Sequence, residues 1–323
     1  LERLNADGSL DKSFVFSRPS EWDGAQKISL IKVQPDDKIL IAKDDKIIRL
    51  NKNGELDSGF HTVKFSNNYF PYLYLNDIQL YPDGKILVVG VFNNVNYTVS
   101  CNIVRLNRDG TIDNSFLFAN YVPSIEFLKS AITSENKIFI GVINSNWYQI
   151  GLFPKLNEDG TIDSSFIWSK TQYEFKNVYH EESFLKNIII EKNGNMIVSG
   201  AISNRSQYWK NEIRGVYRLD PNGRVINIFE DTGYSVYLPN VFLQNDGKVI
   251  VYNISYNYEN GTNLIRYNSD GTKDENFHFR ISYNRLPSTD LIIQKDGKIL
   301  VYGDLLMVNG ISKYGIVRLN QEN

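Results

Sequence analysis

The run Tyr81-Pro82-Asp83-Gly84-Lys85-Ile86-Leu87-Val88-Val89-Gly90, followed by Arg105-Leu106-Asn107-Arg108-Asp109-Gly110-Thr111-Ile112-Asp113-Asn114-Ser115-Phe116, decides the fold. Each half breaks a β-rich stretch with an Asp-Gly pair. Such a pair marks a tight hairpin, because glycine accepts the positive φ that the turn requires. Both halves recur. The second returns at Leu4–Phe14, Leu50–Phe60, Leu156–Phe166, Leu219–Phe229 and Tyr267–Phe277, with a truncated copy at Leu319-Asn320. The first returns from Gln34, Thr133, Glu191, Gln244 and Gln294. Two motifs held in phase at a period of roughly fifty residues are the mark of a repeat architecture.

Within the second repeat, Leu75 to Leu80 reads as strand A, Lys85 to Phe92 as strand B, Asn102 to Leu106 as strand C and Thr111 to Phe118 as strand D. Strand B is apolar on both faces, as a strand between two neighbouring sheets should be. Four-stranded units of this length, repeated six times, predict an all-β fold: a six-bladed β-propeller of antiparallel blades, forming one domain over residues 1–323. The blades are placed at about 28–60, 75–118, 126–168, 184–229, 237–279 and 288–320. The last repeat ends after its strand C, so Ser9 to Phe16 is expected to supply the missing strand D and close the ring. Leu1 to Asn5 then duplicates a strand. With no Met at Leu1, the chain is expected to be a processed product or a piece of a longer array.

The two motifs resemble the delta-60 repeat family of bacterial β-propeller-like repeats over the whole chain. The match is closest at Tyr81 to Gly90 and Arg105 to Phe116. The resemblance implies the fold and a surface or secreted module; it implies no particular activity. Two copies depart from the pattern, with Asn195 in place of the strand-B lysine and Ile226 in place of the repeated aspartate.

The 323 residues carry 35 basic and 37 acidic side chains, well mixed, with a net charge of -2. No basic stripe calls for nucleic acid, and no apolar run is long enough to insert in a membrane. Cys101 is the only cysteine, so no internal disulfide forms. His61, His180 and His278 lie in different repeats, without a zinc spacing. The Asn5-x-Asp7-Gly8-x-x-Asp11 pattern lacks the oxygen ligands of a calcium loop and reads as turn chemistry. No cofactor is called for.

In antiparallel blades the A–B and C–D turns share one side, while the longer B–C and D–A connections share the other. The connections vary and are rich in aromatics, which suits a glycan or protein partner. The candidate ligand-binding residues there are Trp22, Tyr72, Tyr97, Trp147, Tyr148, Tyr208, Trp209, Tyr234, Tyr256 and Tyr283. The B–C connection of the first repeat is only Asp44-Asp45, so the face should be low there. One strand-A position per repeat, Leu30, Asp77, Lys129, Asn187, Asn240 and Asp290, should ring the channel mouth; Asp77, Asn187, Asn240 and Asp290 are candidate ligand contacts. The expected function is a non-catalytic binding or adhesion module, extracellular or on a bacterial surface, acting as a monomer or within a longer chain. The alternatives are a polysaccharide-acting enzyme using carboxylates such as Asp77 or Asp290, and a structural spacer.

Overall fold

A computed structural model describes residues 1–20, 22, 28–68, 72–100, 102–118, 125–144, 154–166, 185–203, 212–231, 239–252, 262–277, 279–283, 290–303, 305–313 and 315–320. The B strands are Ile39–Lys43, Ile86–Val91, Ile138–Asn144, Met196–Ser203, Val249–Tyr252 and Ile299–Gly303. Each pairs antiparallel with an A strand on one edge and a C strand on the other. Contacts divide the chain into two compact units, Leu1–Asn146 with Lys155–Asp163, and Trp147–Pro154 with Ser164–Asn323. The first holds repeats one to three and the second repeats four to six.

Alternation along the B strand explains how repeats stack. In the first unit, Ile86 and Val88 join a core with Leu40, Ala42 and Ile47 of the preceding repeat. Their neighbours Leu87 and Val89 join a separate core with Ile138 and Ile140 of the following repeat. Successive strand residues point to opposite faces, so one all-apolar strand seals two interfaces. The second unit repeats the scheme: Val249 and Val251 pack with Ile197 and Val216, while Ile250 and Tyr252 pack with Leu291 and Ile299.

In the second repeat the fourth strand departs from expectation. Thr111 to Phe118 is not a strand. Ile112 makes one bridge to Leu106, and the chain then reverses. Asp113 is the cause: its Oδ1 accepts the Ser115 amide at 3.0 Å and the Ser115 hydroxyl at 2.7 Å, a local bond that competes with sheet pairing. The turn aims Phe116 at the next repeat, and the Leu117 amide donates to the Asp159 carbonyl at 2.6 Å. In the fourth repeat the D strand forms at the expected place, Val225–Asp231; in the first and fifth repeats it comes later, at Val63–Ser66 and Phe279–Tyr283. The same correction applies to Ser9 to Phe16. After a Leu4–Leu10 bridge, this segment runs along the first repeat, with the Val15 amide donating to the Asn53 carbonyl at 2.9 Å.

The D strands reach beyond their own repeat. Val63–Ser66 pairs with a hairpin, Asn94–Val95 and Thr98–Val99, from the B–C connection of repeat two. Phe279–Tyr283 pairs with the matching hairpin, Leu305–Val308 and Ile311–Ser312, from repeat six. Two six-stranded sheets result. They tie adjacent repeats by main-chain bonds as well as by packing.

The repeated Lys, Arg, Asp and Phe of the motifs form one device. In the second repeat, Arg105 Nε donates to Asp113 Oδ2 at 2.7 Å, Lys85 Nζ lies 3.0 Å from the same oxygen, and the guanidinium stands 5.0 Å from the Phe116 ring centre. Arg105 Nη1 also donates to the carbonyl of Glu158 in the next repeat. Arg49 reaches Arg108 in the same way, and Arg218 reaches Ser269. Where Ile226 removes the aspartate, Glu191 takes its place, accepting from Arg218 Nη2 at 3.0 Å.

Burial alone would raise the Asp57 carboxyl, but hydrogen bonds from Lys38 and Arg49 carry it down to about 2. The Lys248 hydrogen bond, opposed by burial, holds Asp274 at about 2, and Asp113 is lowered as well. Carboxyls depressed on folding contribute stability above their unfolded value near 4, which is lost as pH falls through the folded value. Stability is therefore expected to be flat from neutral pH to about 5 and to fall between about pH 4 and 2, by on the order of 2 kcal/mol for each such aspartate. Urea midpoints measured across that window check this; a flat profile down to pH 2 would refute the charged network.

Candidate binding face

The B–C hairpin of repeat two and its counterpart in repeat six are built alike. Asn96 Oδ1 accepts the Lys64 amide at 2.8 Å, and Asn309 Oδ1 accepts the Arg280 amide at 2.9 Å. Both turns put two residues at positive φ, as a two-residue hairpin needs. In repeat six they are Asn309 (φ 49) and Gly310 (φ 76), the expected pair; in repeat two they are Asn96 (φ 47) and Tyr97 (φ 67). Tyr97 thus holds a left-handed conformation that costs an L-residue about 1–2 kcal/mol. Its side chain is 91% exposed.

The base of this hairpin is joined to a second exposed aromatic group. Asn93 Oδ1 accepts the Asn68 amide at 3.1 Å and Asn94 Nδ2 at 2.6 Å, and Asn67 Nδ2 donates to the Tyr72 carbonyl at 3.1 Å. Tyr72 and Tyr74, both exposed, stack with ring centres 6.1 Å apart and planes 26° apart. In the first repeat the B and C strands are joined only by the tight turn at Asp44-Asp45.

Other expected residues fall differently. Trp22 is a core residue: it is 4% exposed, clusters with Phe14, Ile39 and Ile41, and lies under Lys43 Nζ, 5.2 Å from its ring. Trp147, Tyr148, Tyr208, Trp209, Tyr234 and Tyr256 lie outside the described residues. Tyr283 ends a D strand, opposite Leu305. Tyr74, which stacks with Tyr72, is not among the ligand contacts expected from sequence. Tyr97 itself becomes conspicuous once Val95-Asn96-Tyr97 is aligned with Val308-Asn309-Gly310.

The polar strand-A position has a structural basis. In the first four repeats a β-bulge immediately precedes it, at Ile28/Leu30, Leu75/Asp77, Phe127/Lys129 and Leu185/Asn187. Bulges re-aim side chains. Asp77 is nonetheless 4% exposed and bound internally: Oδ2 accepts the Ser130 amide at 3.0 Å, the Ser130 hydroxyl at 3.1 Å and Gln79 Nε2 at 2.8 Å. It ties repeat two to repeat three and is no open ligand contact. Asn187 accepts the Ser199 hydroxyl at 3.3 Å, and Asn240 is half-buried at the start of its strand. Asp290 is exposed and accepts the Tyr302 hydroxyl at 3.4 Å. Burial and then the Asp290 charge push the Tyr302 phenol up.

The turn aspartates each have one carboxylate oxygen in use within the turn. Asp109 Oδ1 accepts the Thr111 amide at 3.0 Å and its hydroxyl at 2.7 Å, and Asp159 and Asp270 do the same for Thr161 and Thr272. These bonds match the turn chemistry read from the sequence. Among the described residues, no group of three or more His, Cys, Asp or Glu side chains is placed to hold a metal ion.

Residues 34–60, 82–116, 244–277 and 294–322 match the family model described as Domain of unknown function (DUF5122) beta-propeller. The matched segments lie in repeats one, two, five and six, which are thus similar to those of a β-propeller repeat family. None of the curated proteins matches the chain. Among solved structures, a catalytically inactive virginiamycin B lyase from Staphylococcus aureus, solved with quinupristin, is 15% identical with a TM-score of 0.55, covering 93% of this chain and 83% of that one. Puromycin hydrolase is 12% identical with a TM-score of 0.50, covering 91% of this chain and 45% of that one. At these identities the likeness concerns the fold alone.

Proposed function

We propose that this chain is a non-catalytic binding module, working outside the cell, whose exposed tyrosines meet a glycan. The repeats are read as six blades in a ring, with the N-terminal segment completing the last. The carrying observation is Tyr97, fully displayed in a conformation that its counterpart Gly310 adopts without strain. An exposed outlier of this kind costs stability and gains nothing from packing, so it points to a use at the surface. Tyr72 and Tyr74 add flat faces for the apolar side of a sugar ring. The surrounding asparagines bring amide donors and acceptors suited to hydroxyls.

The test is a glycan-array screen of the chain and of Tyr97→Gly. The variant should be about 0.5–1 kcal/mol more stable, since relief of the left-handed strain exceeds the entropic cost of glycine. It should also bind its glycan at least tenfold more weakly. A bound glycan indifferent to both Tyr97→Gly and Tyr72→Ala would overturn the assignment of the face. Silence across the panel would shift the reading to a protein partner or a spacer.

A further inference from the structure

The second unit carries a recess beside its linking hairpin. It has a volume of about 270 Å³ and lies where the C and D strands of repeat five meet the hairpin of repeat six. Its apolar wall includes Leu264, Phe277 and Phe279, all buried, with the two phenyl rings edge to face at 4.9 Å. Its polar rim is Lys273, Arg280 and Asn309. Both cations are exposed.

The repeats themselves provide the comparison. Lys273 makes the isolated bridge to Tyr267 that Leu10, Leu56, Ile112 and Ile162 make in their own repeats, so all five occupy one structural position. Four are aliphatic and one is a lysine. Phe279 pairs with Leu264 as Val63 pairs with Ile47, and Arg280 is held by Asn309 as Lys64 is held by Asn96. The place that carries Leu56, Val63 and Lys64 in the first repeat therefore carries Lys273, Phe279 and Arg280 here. Two aliphatics have become a cation and an aromatic ring. The carboxylate nearest in sequence to Lys273, Asp274, is turned away: its Oδ2 accepts from Lys248 at 2.9 Å and Arg266 at 2.8 Å.

We propose that this recess binds a small organic anion, a carboxylate on a ring or short chain, with its apolar body on Phe277 and Phe279 and its charge between Lys273 and Arg280. A volume near the lower end of ligand pockets fits a single ring and excludes a large ligand. Two cations on the rim of one apolar recess both gain from an anion placed between them, more so where water is displaced. This site is independent of the tyrosine face, lying in the other unit.

The probe is 4-fluorobenzoate, titrated against the whole chain and followed by ¹⁹F NMR, with 4-fluorobenzyl alcohol as the uncharged control. Saturable binding of the carboxylate is expected, at least tenfold tighter than the alcohol and weakened by added salt. Lys273→Leu restores the usual residue of the repeat and so preserves the fold; it should weaken binding at least fivefold. Phe279→Val, which copies the first repeat, should weaken both probes. Carboxylate binding equal to that of the alcohol, or unchanged in Lys273→Leu, would overturn the proposal, as would no saturation at millimolar concentrations.

Discussion

Asp113→Ala is expected to lower the stability of the first unit by about 3–5 kcal/mol, the scale for removing one member of a buried charge pair. The side chain of Arg105 is 3% exposed and that of Asp113 is 8%. Without the carboxylate, the guanidinium stays desolvated beside Phe116, and Lys85 keeps only the longer contact to Asp83, at 4.0 Å. The Ser115 amide and hydroxyl lose their acceptor as well, so the turn that delivers Phe116 to the next repeat loosens. The chain carries its own control. Arg3 and Asp11 make the same 2.7 Å contact but are 39% and 18% exposed. Solvent screens such a pair, so Asp11→Ala should cost far less. Hydrogen exchange of Ile86–Val91 and Ile103–Leu106 reports the first unit by itself. Protection there should fall by about two to four orders of magnitude in Asp113→Ala. Equal small losses in both variants would mean that the network contributes little.

The repeat motifs made the architecture legible because each of their residues is tied to backbone geometry. Asp-Gly fixed the turns, and the unbroken apolar run of Ile86 to Val89 announced two packed faces. The strand-A register was legible too: one position per repeat, polar in all but the first, falls at the same place in the sheet. The fourth strand was misread because Thr111 to Phe118 has strand-like composition, while the hydrogen bonds of Asp113 to Ser115 reverse the chain. Composition does not reveal a local bond that outcompetes a ladder. The linking hairpins were hidden for a related reason. Asn309-Gly310 is a recognisable turn pair, but Asn96-Tyr97 is not, since tyrosine is a poor residue for that conformation. The feature that concealed the hairpin is the one that makes Tyr97 informative. Trp22 and Asp77 show the converse failure. An aromatic in a connection and an acid near a strand end look available in sequence, yet the first is covered by Lys43 and the second is consumed by Ser130.

The motif glycine separates two demands that sequence alone merges, conformation and space. Gly8 and Gly110 hold nearly the same backbone, with φ of 88° and 89°. A Cβ at Gly8 would meet nothing within 4 Å, whereas one at Gly110 would stand 2.5 Å from the His61 carbonyl oxygen and 3.0 Å from the Phe60 ring. Gly8→Ala therefore incurs only the left-handed penalty, about 1 kcal/mol once the lower entropy of the unfolded alanine chain is credited. Gly110→Ala incurs that penalty plus displacement of a backbone carbonyl and of a buried phenyl ring, and about 3 kcal/mol or more is expected in total. The obstruction is backbone, so rotation of a side chain does not relieve it. The two repeats must separate, which strains the 2.7 Å bond from the His61 amide to the Asp109 carbonyl. Exchange protection of the His61 amide should drop sharply in Gly110→Ala and hold in Gly8→Ala. If the two variants lost equal stability, the close approach of one repeat to the next would not be what the glycine serves, and positive φ alone would account for its recurrence.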